Sequence, residues 1–198
     1  MTSQAATLRR AVLPDAGLLA DTLLVVGGAA LIAVSAQISI PLPFTPVPIT
    51  GQTFSVLLVG AALGTVRGGA SGLLYVVAGI AGAPVFADGS HGWAVLTGAT
   101  GGYLLGFPVA AAVTGWLAER RWDRRFSSAI GAMLTGNVVI YVFGLPWLAA
   151  VLNSDLETTL ELGLYPFVPG DVAKLYLAAA LLPTAWRVVR RHDGSSER

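Results

Sequence analysis

The sequence predicts an all-α membrane protein, a bundle of six transmembrane helices with both termini cytoplasmic. Three observations predict it. First, 55% of the 198 residues are hydrophobic and 12% are charged, with a mean hydropathy of +0.71, whereas a soluble domain carries about a quarter charged residues to wet its surface. Second, apolar runs occupy 20–40, 49–66, 69–86, 101–117, 127–152 and 168–186, and most meet the ~17 to 25 residues that a spanning helix needs. Third, all eleven arginines fall on one side of these runs. Arg9 and Arg10 precede the first, Arg67 follows the second, Arg120, Arg121, Arg124 and Arg125 follow the fourth, and Arg187, Arg190, Arg191 and Arg198 follow the sixth. Cytoplasmic loops hold the excess of Arg and Lys, while the opposite connections carry Asp88, Asp155, Glu157 and Glu161. An odd number of spans would break that segregation. The chain therefore divides into a cytoplasmic segment 1–19, a six-helix membrane domain 20–188 and a cytoplasmic tail 189–198.

Each run has its own features. The first is full length and no small-residue cleavage site closes it, so it is a retained helix rather than a removed signal peptide. It carries Ala29 and Ala33 four residues apart, a small face suited either to packing inside the bundle or to docking a partner helix. Between the first and second runs lies PLPFTPVPIT from Pro41, whose four prolines forbid continuous helix and stiffen an extended loop. Gln52 and Thr53 begin the second run beneath it. The second and third runs are short or Gly-interrupted, with Gly60 and Gly64, then Gly68 and Gly72, at the spacing that lets backbones approach. After them comes APVFADGSHGWAVLTGATGG from Ala83, with Phe86 and Trp93. These two outward loops suit either a cover over a pocket or interfacial connectors.

The fourth run opens in TGGYLLGFP from Thr100, where Gly101 and Gly102 permit close backbone approach and Tyr103 offers a ring for stacking. The fifth holds Asn137 in mid-helix with Tyr141 one turn nearer the outside. A buried amide in lipid needs partners, either another helix or a ligand. The sixth opens in PFVPGDVAKLYLAAAL from Pro166, with Asp171 and Lys174 on one face three residues apart. Lys174 is the only lysine in the chain and sits roughly 9 Å below the start of that helix. An ionisable group at membrane depth costs roughly 2.5 to 3.5 kcal/mol on insertion scales. The pair either caps the helix and neutralises itself, or receives an amphiphilic ligand from outside. Trp116, Trp122 and Trp186 fall near the inner interface and Trp147 near the outer one, as ring anchors do.

Several functions are disfavoured. The chain has no cysteine and only His91 and His192, which leaves no thiolate or histidine metal site. It has no Walker motif, no Ser-His constellation, no midplane carboxylate and no three-plus-three repeat. Neither an enzyme, a cofactor nor a nucleic-acid partner is expected. The residues describe a ligand-binding membrane protein, open to the outside and lacking its own motor.

FTPVPITGQTF from Phe44, APVFADG from Ala83, TGGYLLGFP from Thr100, GNVVIY from Gly136 and PFVPGDVAK from Pro166 stand in this order. Together they resemble the BioY family, the biotin-specific substrate-binding components of energy-coupling-factor transporters. The resemblance implies a six-helix S-component fold in the bacterial cytoplasmic membrane, with biotin held in its outer half. It also implies partners: a transmembrane coupling subunit docked on Ala29 and Ala33, and two cytoplasmic ATPases. Asp171 and Lys174 become the first candidates for polar contacts to biotin, followed by Asn137, Tyr103 and the loop from Phe86 to Gly89, while Gly102, Tyr141 and Gln52 stand as further ligand candidates from their own places in the runs. A homo-oligomer stays open, as do an S component for another vitamin such as thiamine or riboflavin and a structural membrane scaffold.

Overall fold

The computed structural model describes residues 7–13 and 17–195. After α1 (Leu8–Val12), α2 (Leu18–Ala36) stops four residues before the end of the first apolar run. The cause is Gln37, whose Nε2 donates to the carbonyls of Ala33 and Phe86, each at 3.1 Å, and whose Oε1 accepts the Gly89 N–H at 3.1 Å. The chain leaves as β1 (Ser39–Ile40), antiparallel to β2 (Ile49–Thr50), with Ser39 opposite Thr50 and Ile40 opposite Ile49. The prolines thus sit in the connection of a small hairpin, and the second apolar run begins as a strand.

The helix of that run, α3 (Gln52–Leu63), is followed directly by α4 (Thr65–Ile80). They meet at Gly64, whose φ of +88° is accessible at low cost only to glycine. A 3₁₀ turn at Ala87–Gly89 and the short α5 (Trp93–Thr97) lead to α6 (Gly101–Glu119), α7 (Phe126–Leu152), α8 (Leu156–Gly163) and α9 (Val168–Ser195). Among the described residues, four helices are long and apolar enough to cross a membrane: α2, α6, α7 and the Val168–Val189 part of α9. At 12 and 16 residues, α3 and α4 are shorter apolar helices. Twelve residues of α3 reach ~18 Å at helical rise, against a hydrocarbon core of ~30 Å. The hairpin closes over the space above its first turn.

The small residues do pack helices. A Cβ on Gly60 would lie 2.3 Å from the Ala111 carbonyl oxygen, one on Gly68 would lie 2.7 Å from Gly60 Cα, and one on Gly115 would lie 2.4 Å from the Gly64 carbonyl carbon. Backbones of α3, α4 and α6 therefore touch with no side chain between them, which maximises dispersion contact where lipid offers no hydrophobic drive. Ile32, Val56, Tyr75, Phe107, Met133, Ile140 and Leu182 fill the core around this seam. Leu19, Leu23, Val26 and Val34 of α2, Val138 and Val142 of α7, and Val172, Tyr176 and Leu177 of α9 face outward.

Ala29 and Ala33, expected on a docking face, differ in burial. Ala29 is 8% exposed and belongs to the core, while Ala33 is only partly covered. Gly28 beside it lies against Ser71 and Val59.

At the end of the bundle that carries the arginines, Asp21 is held between Arg9 and Arg67, each at 2.6 Å. Glu119 accepts the backbone N–H and hydroxyl of Thr65 at 3.0 and 2.9 Å. Asp123, fully buried, accepts Trp186 Nε1–H at 2.5 Å, and the Arg124 guanidinium lies 4.0 Å from the centre of that ring. Trp186 is therefore a buried donor rather than the interfacial anchor expected, whereas Trp116 and Trp122 are 46% and 41% exposed. Helix α9 runs on into the 189–198 segment as far as Ser195. Arg198 and the side chains of Arg190, Arg191 and His192 lie outside the described residues.

Candidate ligand-binding site

A cavity of about 310 Å³ lies at the opposite end, under the hairpin. Its polar pole is built from three helices. Asn137 and Tyr141 are one turn apart on α7, so their side chains point the same way. Asn137 Nδ2 donates to Asp171 Oδ2 at 3.0 Å, and the Tyr141 hydroxyl donates to the same oxygen at 2.5 Å. Asp171 sits in the first turn of α9, 6% exposed, where the positive end of the helix dipole also favours its charge. Its Oδ1 lies 3.4 Å from Lys174 Nζ, and Lys174 donates to Thr53 Oγ1 of α3 at 3.0 Å.

Capacity remains at both charges. A carboxylate offers about four acceptor positions and an ammonium three donors; here two firm bonds occupy Oδ2, one long contact reaches Oδ1, and Lys174 has one firm acceptor. Both residues line the cavity. Beside them Gln52 accepts from Thr50 Oγ1 at 2.8 Å and donates to the Tyr75 hydroxyl. A void of about 10 Å³ beneath the pair is lined by Thr53, Asn137, Asp171 and Lys174, room for one water with polar neighbours.

The rest of the wall is aromatic. Phe86 meets Tyr75 edge-on at 5.5 Å and 78°, Tyr75 stacks on Phe107 at 6.4 Å, and Tyr103 meets Tyr141 edge-on at 6.2 Å. Tyr103 is fixed by its hydroxyl, which donates to the Gly163 carbonyl at 2.9 Å. Phe167 completes the wall, and Pro46, Val47 and Pro48 cover it. The cover is tied down on two sides: Thr45 Oγ1 donates to the Leu162 carbonyl of α8 at 2.7 Å, and Ser39 donates to Asp88 at 3.2 Å. Helix α8 is capped by Asp155, which accepts Thr158 N–H at 2.9 Å. Those bonds hold the Asp155 carboxyl below its usual range. A charged, hydrogen-bonding pole facing an apolar aromatic chamber suits a compact ligand with a polar head and a hydrophobic body.

Residues 3–191 match the BioY family. The chain belongs to the BioY family. The biotin transporter BioY of Rhizobium etli is 38% identical over 149 residues, covering 72% of this chain and 79% of the relative. The biotin transporter BioY of Thermotoga maritima is 41% identical over 155 residues, covering 77% and 87%. A 2.1 Å crystal structure of the S-component for biotin from an ECF-type ABC transporter superposes with a TM-score of 0.75 at 25% identity, covering 85% of this chain and 92% of that one. Membership in BioY, with its apolar helices, makes the protein a multi-pass protein of the cytoplasmic membrane.

In this BioY chain the expected residues divide into three groups. Asp171, Lys174, Tyr141, Tyr103, Phe86 and Gln52 all line the cavity. Asn137 stands one layer behind, holding Asp171. Gly102 is elsewhere: a Cβ there would lie 2.3 Å from Trp147 Cβ and 2.5 Å from the Phe143 carbonyl oxygen, so its smallness serves the α6–α7 contact. Trp93 is exposed and does not reach the cavity. Sequence reasoning passed over Phe107, Phe167 and the role of Thr53. Phe107 follows Tyr103 by four residues, a helical spacing that puts both rings on one face; nothing local marks Thr53, which becomes a partner of Lys174 only across 121 residues.

Proposed function

We propose that this BioY-family protein is a biotin-binding S component: a transporter subunit, not an enzyme, that takes up biotin from outside through the cavity under the hairpin. In this reading the chain crosses the membrane six times, with α3 and α4 as short spans. Both termini are cytoplasmic, and segments 1–19 and 189–198 flank the membrane domain 20–188. Energy comes from a transmembrane coupling subunit and two cytoplasmic ATPases. The coupling subunit would meet the outward face of α2, at Leu23, Val26, Gly27, Ala30 and Val34, with Ala33 at its edge rather than Ala29.

The observation that carries the reading is the buried Asp171, engaged on one oxygen by Asn137 and Tyr141 and open to the cavity beside Lys174. Biotin has a urea with two N–H donors and one carbonyl, a compact apolar bicycle and a carboxylate on an alkyl tail. Asp171 accepts a urea N–H, and Lys174 donates to the urea carbonyl or the carboxylate. The bicycle fills the chamber between Phe86, Phe107 and Tyr103. Delivery inward requires no covalent step, only two states that hold biotin with different affinity, the difference being driven by the ATPases.

The test is titration of the purified, detergent-solubilised protein with biotin, followed by heat or Trp fluorescence, with thiamine and riboflavin as controls. Saturable one-to-one binding of biotin, weakened by Asp171→Asn and Lys174→Ala in folded protein, is expected. A folded protein that ignores biotin would sink the assignment.

A further inference from the structure

At the arginine end of the bundle, the acid inside the α6–α7 turn is withdrawn from the surface and the arginines of that turn are not. Among the side chains described there, three carboxylates occur, and all are engaged within the protein. Asp21 lies between Arg9 and Arg67, Asp123 is 0% exposed against Trp186, and Glu119, although exposed, is bonded to Thr65 of α4. Asp123 is the one acid inside the turn between α6 and α7, and it points inward. Arg120, Arg121 and Arg125 of the same turn are exposed, as is Arg187, which follows Trp186 on α9. The bond from Trp186 to Asp123 holds the turn against α9, so these four side chains are displayed from one fixed unit.

Two exposed indoles flank them, Trp116 on the last turns of α6 and Trp122 in the turn itself. Arg120 lies 3.5 Å from the centre of the Trp116 ring and donates to the Trp116 carbonyl at 3.2 Å, leaving further N–H groups of the guanidinium directed elsewhere. Indole rings of spanning helices settle at the level of lipid headgroups, and guanidinium forks match phosphate oxygens bidentately. We propose that the α6–α7 turn, with Arg187, is a binding surface for anionic phospholipid headgroups. The occupant is a lipid rather than an acidic protein because the indoles that accompany the arginines lie against the membrane interface, where phosphodiesters are the anions present. A juxtamembrane cluster of four arginines with its acid withdrawn is suited to that leaflet.

The test uses the full chain in nanodiscs of phosphatidylcholine with and without phosphatidylglycerol, and native mass spectrometry of the lipids retained on release. The wild type should retain phosphatidylglycerol in clear preference to phosphatidylcholine. The variants R120Q/R121Q and R125Q/R187Q should each lower that preference, by about fivefold for each arginine at low salt, and rising salt should weaken it. A variant with all four arginines changed to lysine should keep the salt-sensitive part, and soluble glycerol phosphate should not compete. No preference in the wild type, or a preference that survives both glutamine variants, overturns the proposal. Competition by glycerol phosphate would also overturn it, pointing to a free phosphate. If the glutamine variants fail to fold, the salt dependence of the wild type decides: a preference unchanged by salt overturns the proposal. Loss of ATPase-module binding in the glutamine variants, with lipid retention unchanged, would assign the patch to an acidic protein face instead.

Discussion

Gly79→Ala tests the packing beneath the aromatic wall. A Cβ at this position would lie 2.2, 2.3 and 2.6 Å from Cζ, Cε1 and Cε2 of Phe86, where carbon contacts sit at about 3.5–4.0 Å. The ring must withdraw by more than about 1 Å. Its loop cannot yield easily, because Gln37 holds the Phe86 carbonyl at 3.1 Å and Gly92 N–H donates to the Gly79 carbonyl at 2.7 Å. Tyr75 closes another side, edge-on at 5.5 Å. The cavity is the open direction, so the ring moves into the space the ligand needs. Overpacking costs about 1–3 kcal/mol; a middle value of about 2 kcal/mol, expressed in binding, is about a thirtyfold loss of affinity. Calorimetric titration with biotin measures it. A double-mutant cycle supplies the control: in a Phe86→Ala background the added methyl has no ring to displace, so Gly79→Ala should cost nothing further. Wild-type affinity in Gly79→Ala, or the same loss in both backgrounds, would refute the reasoning.

Three other outcomes follow from single contacts. Thr53→Val removes the acceptor of Lys174 while keeping the side-chain shape; a hydrogen bond to a charged group is worth about 1.5–3 kcal/mol, so biotin affinity should fall about tenfold, and Thr53→Ser should restore it in the same titration. Burial pushes the Asp123 carboxyl up, with the Trp186 N–H opposing. Its folded value lies above its unfolded one, so its contribution to stability is full below about pH 4 and is lost as pH rises through the raised value. Asp123→Asn keeps an acceptor for Trp186 and should flatten that decline in thermal unfolding at pH 5 and pH 8, whereas Asp123→Ala strands the indole N–H at a cost of about 1–3 kcal/mol. Asp155 has the opposite sign: its lowered value means that its support of α8 is present above about pH 4 and lost as pH falls through the folded value. Hydrogen-exchange protection factors at Thr158 and Thr159, corrected for the intrinsic rate at each pH, should fall in Asp155→Ala at neutral pH to those of the acidified wild type.

The six apolar runs correspond to α2, α3, α4, α6, α7 and α9, because the length of a hydrophobic stretch is a strong signal in lipid. Facing is a weak one. On α2 the inward Ala29 and the outward Val26 and Val34 are all apolar, since lipid and core ask for the same residue types, so no periodicity could say which face a partner would meet. The polar pole was legible for the converse reason: Asp171, Lys174, Asn137 and Tyr141 stand out against an apolar background and fall at helical spacing. Thr53 and Gln37 do not, because a hydroxyl or amide at a helix end is ordinary and its distant partner is set only by the fold. Gly102 could be read either as room for a ligand or as room for a neighbouring helix, and the difference lies in Trp147, which sequence spacing cannot bring to it.

The glycine seam among α3, α4 and α6 has a kinetic consequence. A layer of side chains between helices can absorb movement by changing rotamers; backbone resting on backbone has no such slack. The interior therefore acts as a fixed frame, and opening the chamber falls to the segments around it, residues 37–50 and 83–92. These are fastened by polar ties, at Gln37, Thr45, the Ser39–Asp88 pair and the Gly92–Gly79 backbone bond, which hold the segments singly but can release together. In the proposed reading, entry of biotin into the chamber would be governed by how often those fastenings release, and not by any rearrangement of the frame.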